Sequence, residues 1–211
     1  RAIANGPYQY LLAAIGLLLL ALSIVTTIYV RRALERERLA RRELQHFAMT
    51  DALTALPNRR SFMKELDRAI ERAQAKPDRT LSLAIFDIDH FKRINDMFGH
   101  DTGDEVLIAV AEGLKQENVF PARQGGEEFV VLIYGEDYQR LAETVRRQIT
   151  LSVLEKVPEV PFPVTASAGL TEVRPNDTLD SAVKRGDEAL YAAKDAGRDQ
   201  LLLWQDGKHS Q

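Results

Sequence analysis

Apolar positions change their period several times along this chain, and each change marks an element. Residues 8 to 30, from Tyr8 through a Leu- and Ile-rich run to Val30, hold no charged side chain. At about 1.5 Å of rise per residue the run can cross a hydrocarbon core of about 30 Å, so it reads as a transmembrane helix. Tyr8, Tyr10 and Tyr29 stand at its ends, where amphipathic rings prefer the membrane interface. A cleaved signal peptide is the alternative, but the apolar run is long and no small-residue cleavage site follows it. Residues 31 to 49 turn charged, and Arg outnumbers Glu there. Lacking Gly and Pro, this segment predicts a helical stalk continuing the span, with Glu37 and Arg41 as an i,i+4 pair. Ala33, Ala40, Leu44 and Phe47 follow the 3.5-residue period of a coiled coil, interrupted by Glu37; a solvated stalk is the alternative. The basic flank places the C-terminal side of the span in the cytoplasm.

Past residue 50 the pattern is that of a globular domain. Thr50 and Asp51 offer capping chemistry, and Pro57-Asn58 punctuates the chain before a helix over 59–75, whose apolar positions Phe62, Leu66, Ala69, Ile70 and Ala73 keep helical spacing. Lys76-Pro77-Asp78 ends it. Leu81, Leu83, Ala84, Ile85 and Phe86 form an apolar run that reads as a buried strand. A second helical pattern covers 104–115. Strands over 119–124 and 127–134 flank Gly125-Gly126, a pair suited to a two-residue hairpin turn. A helix over 137–156, a strand over 164–171, a helix over 179–195 and a last strand over 200–204 complete the pattern. Strands separated by helices, with one central hairpin, predict an α/β (α+β) fold with a mixed central sheet and flanking helices. The expected organisation is an N-terminal flank at 1–7, the span at 8–30, the stalk at 31–49, one domain at 50–205 and a tail at 206–211.

Composition narrows the picture. The chain has 211 residues, a net charge of −3 and no Cys. Disulfides and thiolate metal sites are excluded, and bulk electrostatics give no reason to expect nucleic-acid binding. The first residue is Arg rather than Met, which suggests a fragment of a longer protein with a sensory region upstream.

Candidate chemistry concentrates between residues 84 and 129. Period-two alternation puts Asp87 and Asp89 on one face at the end of the buried strand, where open α/β sheets place ligands. A solvent-exposed strand terminus is the simpler reading of either residue alone. If the hairpin lies beside that strand, Asp87 and Glu127 converge, and oxygen ligands from adjacent strands suit a hard cation such as Mg²⁺. Lys194 and Arg198 lie one turn apart on one helical face, with Gly197 closing the helix. Asp104 reads from sequence as a helix N-cap.

The run Phe86-Asp87-Ile88-Asp89-His90-Phe91-Lys92-Arg93-Ile94-Asn95, the Gly125-Gly126-Glu127-Glu128-Phe129 motif, the segment Asp51-Ala52-Leu53-Thr54 with Pro57-Asn58-Arg59, and Asp187-Glu188-Ala189-Leu190-Tyr191 with Lys194 and Gly197-Arg198 occur in this order. Together they resemble the GGDEF domain of diguanylate cyclases, in its GGEEF form, from about Thr50 to Trp204. The resemblance implies a ferredoxin-like core similar to the palm of nucleotidyl cyclases and polymerases. It implies condensation of two GTP into cyclic di-GMP with loss of two pyrophosphates, across a homodimer of half-sites. The implied metal ligands are Asp87, the carbonyl of Ile88, Glu127 and Glu128, holding Mg²⁺ or Mn²⁺, two per active site. Glu127 and Glu128 are the implied catalytic carboxylates, Glu127 as general base, and Lys92 the transition-state stabiliser. Phe91 offers backbone N–H to phosphate, Lys194 and Arg198 reach the triphosphate, and Asn95, His100 and Asp104 read guanine. Guanine presents adjacent N1–H and N2–H donors that a carboxylate accepts together.

Three features separate this chain from the family pattern. Gln124 stands where an aromatic is common, and Asp199 where Asn is common. The Arg-x-x-Asp motif of the product-inhibition site is absent, since the segment Gln116-Glu117-Asn118-Val119 carries Gln and Val at the matching positions and is short. Two other readings stay open: a catalytically degenerate GTP or cyclic di-GMP receptor, and a cyclase with a mixed-purine product.

Overall fold

The computed structural model describes residues 6–75 and 80–206. It divides into two units between Phe47 and Ala48. In the first unit, helix α1 (Gly6–Met49) contains a stretch, Tyr10–Glu35, long and apolar enough to cross a membrane. The hydroxyls of Thr26 and Thr27 donate to the carbonyls of Leu22 and Ser23 at 2.6 and 2.7 Å, which satisfies both within the helix, as a span in lipid requires. Arg41 of the proposed Glu37–Arg41 pair and the heptad positions Ala40, Leu44 and Phe47 fall on side chains outside the described residues, and the Lys76-Pro77-Asp78 helix stop also lies outside them.

The second unit is built on a five-stranded sheet of order β2-β3-β1-β4-β5. Its strands are β1 (Leu81–Ile88), β2 (Val119–Gly125), β3 (Glu128–Tyr134), β4 (Ala166–Glu172) and β5 (Leu201–Leu203). Pairing is antiparallel except for β4 with β5, so the sheet is mixed, as the pattern of strands and helices predicts. The hairpin does lie beside β1. Central β1 is buried along its whole length because both faces are covered. Ala84, Phe86 and Ile88 join Phe129, Val131 and Ile133 in one core with helices α4 (His100–Gly113) and α5 (Tyr138–Lys156). Leu81, Leu83 and Ile85 join Val130 and Leu132 in a second core with α2 (Arg59–Ala75) and α6 (Leu179–Asp195). A strand buried on both faces reads as a near-continuous apolar run, and β1 does apart from Ser82 and Asp87.

Three local expectations need correction. Neither Thr50 nor Asp51 caps α2; Asn58 does, its Oδ1 accepting from Ser61 N at 3.1 Å. Residues 91–98, to which the sequence pattern assigns no element, form a short helix, α3 (Phe91–Phe98), because Phe91 and Ile94 bury on one side of a single pair of turns. Helix α4 begins at His100 after Gly99, so Asp104 lies inside it and is not its N-cap.

Candidate active site

The odd positions of β1 face α2 and α6, and the last of them is Asp87. Its register partners are Glu128 on β3 and Ser167 on β4. Residues paired across antiparallel strands point to the same face, so Asp87 and Glu128 share the α6 side of the sheet. Asp87 is not a solvent-exposed terminus; it is 6% exposed. Its counter-charge is Lys194 of α6, whose Nζ lies 2.8 Å from Asp87 Oδ2. The lysine that the family pattern assigns to the triphosphate therefore holds the carboxylate that the same pattern assigns to the metal.

Glu127 completes this corner from a position one residue away from the predicted one. The turn is Gly126-Glu127, since Gly125 already pairs with Glu128 after an irregularity at Arg123. Gly125 and Gly126 have φ of 147° and 53°, values open to glycine, and these permit the shifted register. Glu127 is half-buried, and its carboxyl is pushed above the ordinary range by burial, then by the negative charge of Asp87, with Glu128 adding to it and Lys194 opposing it. Three carboxylates thus crowd one corner, where a single lysine is paired to Asp87. Among the described residues no three His, Cys, Asp or Glu side chains are already drawn into a cation cage. The donor set nevertheless fits a hard cation: all ligands are oxygen, and the excess negative charge is the kind a divalent ion relieves.

The turn is held from behind by Arg123. Its Nε and Nη2 donate to Gly126 O at 3.1 and 2.7 Å, and its Nη1 donates to Asp51 Oδ1 at 2.9 Å. Asp51 also accepts from Thr54 N and Thr54 Oγ1. These bonds together keep the Asp51 carboxyl below its usual range against the opposing effect of burial. The Asp51 to Thr54 motif is therefore a clamp on the Gly126-Glu127 turn, a role that its spacing alone does not reveal.

Asp89, which the alternation places beside Asp87, takes a different part. It is 5% exposed and accepts from Thr165 Oγ1 at 2.7 Å, Ser167 Oγ at 2.6 Å and Asp199 N at 3.0 Å. The corner it holds follows α6. Gly197 N bonds to Lys194 O and Arg198 N to Ala193 O, a Schellman closure. Gly197, Arg198 and Asp199 then run at φ of 114°, 64° and 48°. Two consecutive side-chain-bearing residues in the left-handed region need outside support. Asp89 supplies it through the backbone, and Arg146 of α5 through an ion pair with the Asp199 carboxylate. An Asp at this position thus has a partner, which explains the departure from Asn.

The predicted base-side residues gather at the α3–α4 corner. Phe91 opens α3 and is buried, Asn95 is half-buried, and His100 and Asp104 are exposed on the first two turns of α4. Lys92 and Arg198 are exposed, and no ion pair is found for either among the described residues. Asn95 Oδ1 is buried without a hydrogen-bond partner. Far from this corner, the segment where the Arg-x-x-Asp motif would stand lines a cleft of about 820 Å³. Gln116, Glu117, Glu136 and Asp137 border it, and its Arg140 is 2.7 Å from Asp137.

Comparison with known proteins places this geometry. Residues 48–200 match the family model described as diguanylate cyclase, GGDEF domain. The chain is 43% identical over 160 residues to the diguanylate cyclase DgcP of Pseudomonas aeruginosa, covering 73% of this chain and 24% of that protein. It is 37% identical over 191 residues to the response regulator PleD of Caulobacter vibrioides, covering 82% of this chain and 41% of that protein. The chain therefore spans less than half the length of these relatives. The solved coiled coil and GGDEF domain of DgcB from Caulobacter crescentus, in complex with c-di-GMP, superposes with a TM-score of 0.72 at 33% identity, covering 88% of this chain and 98% of that one. The active GGEEF domain of a diguanylate cyclase from Vibrio cholerae gives a TM-score of 0.61 at 32% identity, covering 71% and 98%. From the Asp51 clamp through the Glu127 turn to the corner after α6, sequence and fold agree: the chain belongs to the GGDEF domain family of diguanylate cyclases.

Proposed function

We propose that this chain is a diguanylate cyclase that joins two GTP molecules head to tail into cyclic di-GMP and releases two pyrophosphates. The observation that carries the reading is the gathering of Asp87, Glu127 and Glu128 at the end of the central strand, with Lys194 paired to Asp87. A domain that only bound nucleotide would gain nothing from clustering carboxylates in which the Glu127 carboxyl is raised by burial and then by the charges of Asp87 and Glu128.

Each bond formed requires a ribose 3′-hydroxyl to lose its proton and approach an α-phosphorus in line with departing pyrophosphate. Glu127, with its raised proton affinity, is suited to accept that proton. Asp87, the carbonyl of Ile88, Glu127 and Glu128 would hold Mg²⁺ or Mn²⁺, two per site, and the ions offset charge on the attacking and leaving oxygens. Lys92 and Arg198, both free to turn toward solvent, together with Lys194 once released from Asp87, neutralise the phosphates, and the N–H of Phe91 orients them. Asn95, His100 and Asp104 select guanine; a buried acceptor rejects a base that has no donor to offer.

One such corner holds one GTP, so turnover needs two copies face to face, and a homodimer follows from the chemistry. Residues 8–30 anchor the chain in the bacterial inner membrane with the catalytic domain in the cytoplasm, as the basic flank after the span indicates. The lost Arg-x-x-Asp pair and the acidic border of the cleft beside it argue against a strong product-inhibition site there. Incubating the full chain in detergent with GTP, ATP and Mg²⁺, and identifying products by mass, tests the reading. Cyclic di-GMP is expected; a mixed-purine product would reassign the specificity, and nucleotide binding without turnover would make the domain a receptor.

A further inference from the structure

Gly103 stands within α4 with no left-handed φ and no capping role. A glycine there costs about 1 kcal/mol relative to alanine, so the reason for it must lie outside the helix backbone. A Cβ at this position would come within 1.9 Å of Asn95 Oδ1, 3.0 Å of Asn95 Cγ and 3.4 Å of Phe91 Cζ. Helix α4 is therefore cut away at one residue, and the carboxamide of Asn95, reaching across from α3, fills the notch. The amide oxygen in that notch has no hydrogen-bond partner. Leaving a buried acceptor unmet costs about 1–3 kcal/mol, so the amide is held there by packing rather than by a bond of its own. The residue after Gly103 is Asp104, whose carboxylate is exposed on the same turn.

We propose that Gly103 is a positioning residue for base recognition: its missing side chain seats the Asn95 carboxamide beside Asp104 so that the two read one guanine. This rests on the assignment of Asn95 and Asp104 as guanine partners. It accounts for the adjacency of a side-chain-free residue and a base-reading carboxylate on one helical turn. It also makes guanine selection a property of α3–α4 packing rather than of two independent side chains.

The test is a double-mutant cycle in this chain in detergent, with Gly103→Ala, Asn95→Ala and both together. Calorimetry measures affinity for an α,β-methylene GTP analogue, which cannot react, and for the inosine counterpart, which lacks the N2 donor. Gly103→Ala is expected to weaken the guanine analogue by about tenfold, or about 1.4 kcal/mol, and to narrow the guanine-to-inosine preference. In the Asn95→Ala background the same substitution should have almost no effect, because the group it would displace is gone. If Asn95→Ala itself leaves affinity unchanged, the base-reading assignment fails and the proposal falls with it. If Asn95→Ala weakens binding while Gly103→Ala is silent, or is equally harmful in both backgrounds, the assignment stands and the role of Gly103 is overturned. Should Gly103→Ala fail to fold alone, the double variant must recover the thermal midpoint; if it does not, the notch is not what Gly103 provides.

Discussion

Replacing Gly169 with Ala should damage both stability and catalysis, because this glycine lets α6 rest on the sheet. Gly169 lies on β4 opposite Ile85 of β1. A Cβ there would lie 2.1 Å from Gly186 O, 2.3 Å from Leu190 N and 2.9 Å from Ala189 C, all backbone atoms of α6. Backbone cannot rotate aside as a side-chain tip can. Restoring ordinary contact requires α6 to rise by roughly 1.3 Å from the sheet, in an interior too densely packed to absorb the shift freely. Overpacking costs about 1–3 kcal/mol, and the upper end applies here, which for a domain of this size lowers Tm by about 6–12 °C. The same movement separates Lys194 Nζ from Asp87 Oδ2, now 2.8 Å apart. Misplacement of a catalytic group by about 1 Å can cost about a hundredfold in rate. Differential scanning fluorimetry and a pyrophosphate-release assay measure the two effects. Gly186→Ala is the internal control: its Cβ would meet side chains rather than backbone, Ile85 at 2.7 Å from Cδ1 and 3.0 Å from Cγ1 and Leu83 Cδ2 at an ordinary 3.8 Å, so its cost should be smaller. A Gly169→Ala protein with unchanged Tm and turnover, or one less affected than Gly186→Ala, would refute the reasoning.

Asp87→Ala and Glu127→Ala should each abolish product formation while circular dichroism stays native, since Lys194 is exposed enough to turn into water; normal turnover in either variant would remove the metal assignment. Glu127→Gln should raise Tm at neutral pH. The raised carboxyl means the native state takes up that proton more readily than the unfolded chain, so Glu127 favours folding in acid and loses that contribution as pH rises through its folded pKa. The gain should vanish as pH falls into the ordinary carboxylate range near 4, and a gain equal at both pH values would contradict the cause given. Specific activity should rise with concentration when residues 31 to 47 are replaced by a monomeric helix and level out when a strong dimeric coiled coil replaces them; flat activity across dilution of a proven monomer would sink the two-half-site requirement. Calorimetry with cyclic di-GMP on nucleotide-free protein should show no micromolar site at Gln116 to Val119, and tight binding there with non-competitive inhibition would show that another side chain replaces the missing Arg.

The sheet was legible because β1 is apolar at every position up to Asp87 except Ser82 and the hairpin strands flank two glycines. The register of the turn was not, since pairing Gly125 with Glu128 depends on an irregularity at Arg123 that no local pattern encodes. Helix α3 was hidden by its length: two turns give too few apolar positions for a period to show. Asp87, Glu127 and Lys194 could be named from their motifs, but their mutual charge balance needed β1, the turn and α6 in one frame. Asp89 was visible as the neighbour of Asp87. Its use as a fastener for the corner after α6 depends on Thr165, Ser167 and Asp199, which lie 76 to 110 residues away in sequence. Asp51 and Arg123 are likewise 72 residues apart.

The Lys194–Asp87 pair has a consequence for the order of events. With the ammonium group against the buried carboxylate of Asp87, one of the three negative charges at this corner is already answered, and if Asp87 is a metal ligand, a divalent ion arriving alone would have to displace a covalently tethered competitor. A nucleotide bringing its own ion would offer Lys194 a phosphate at the moment it gave up that partner, so the exchange would be a swap rather than a loss. Substrate would then act as the key to the metal site.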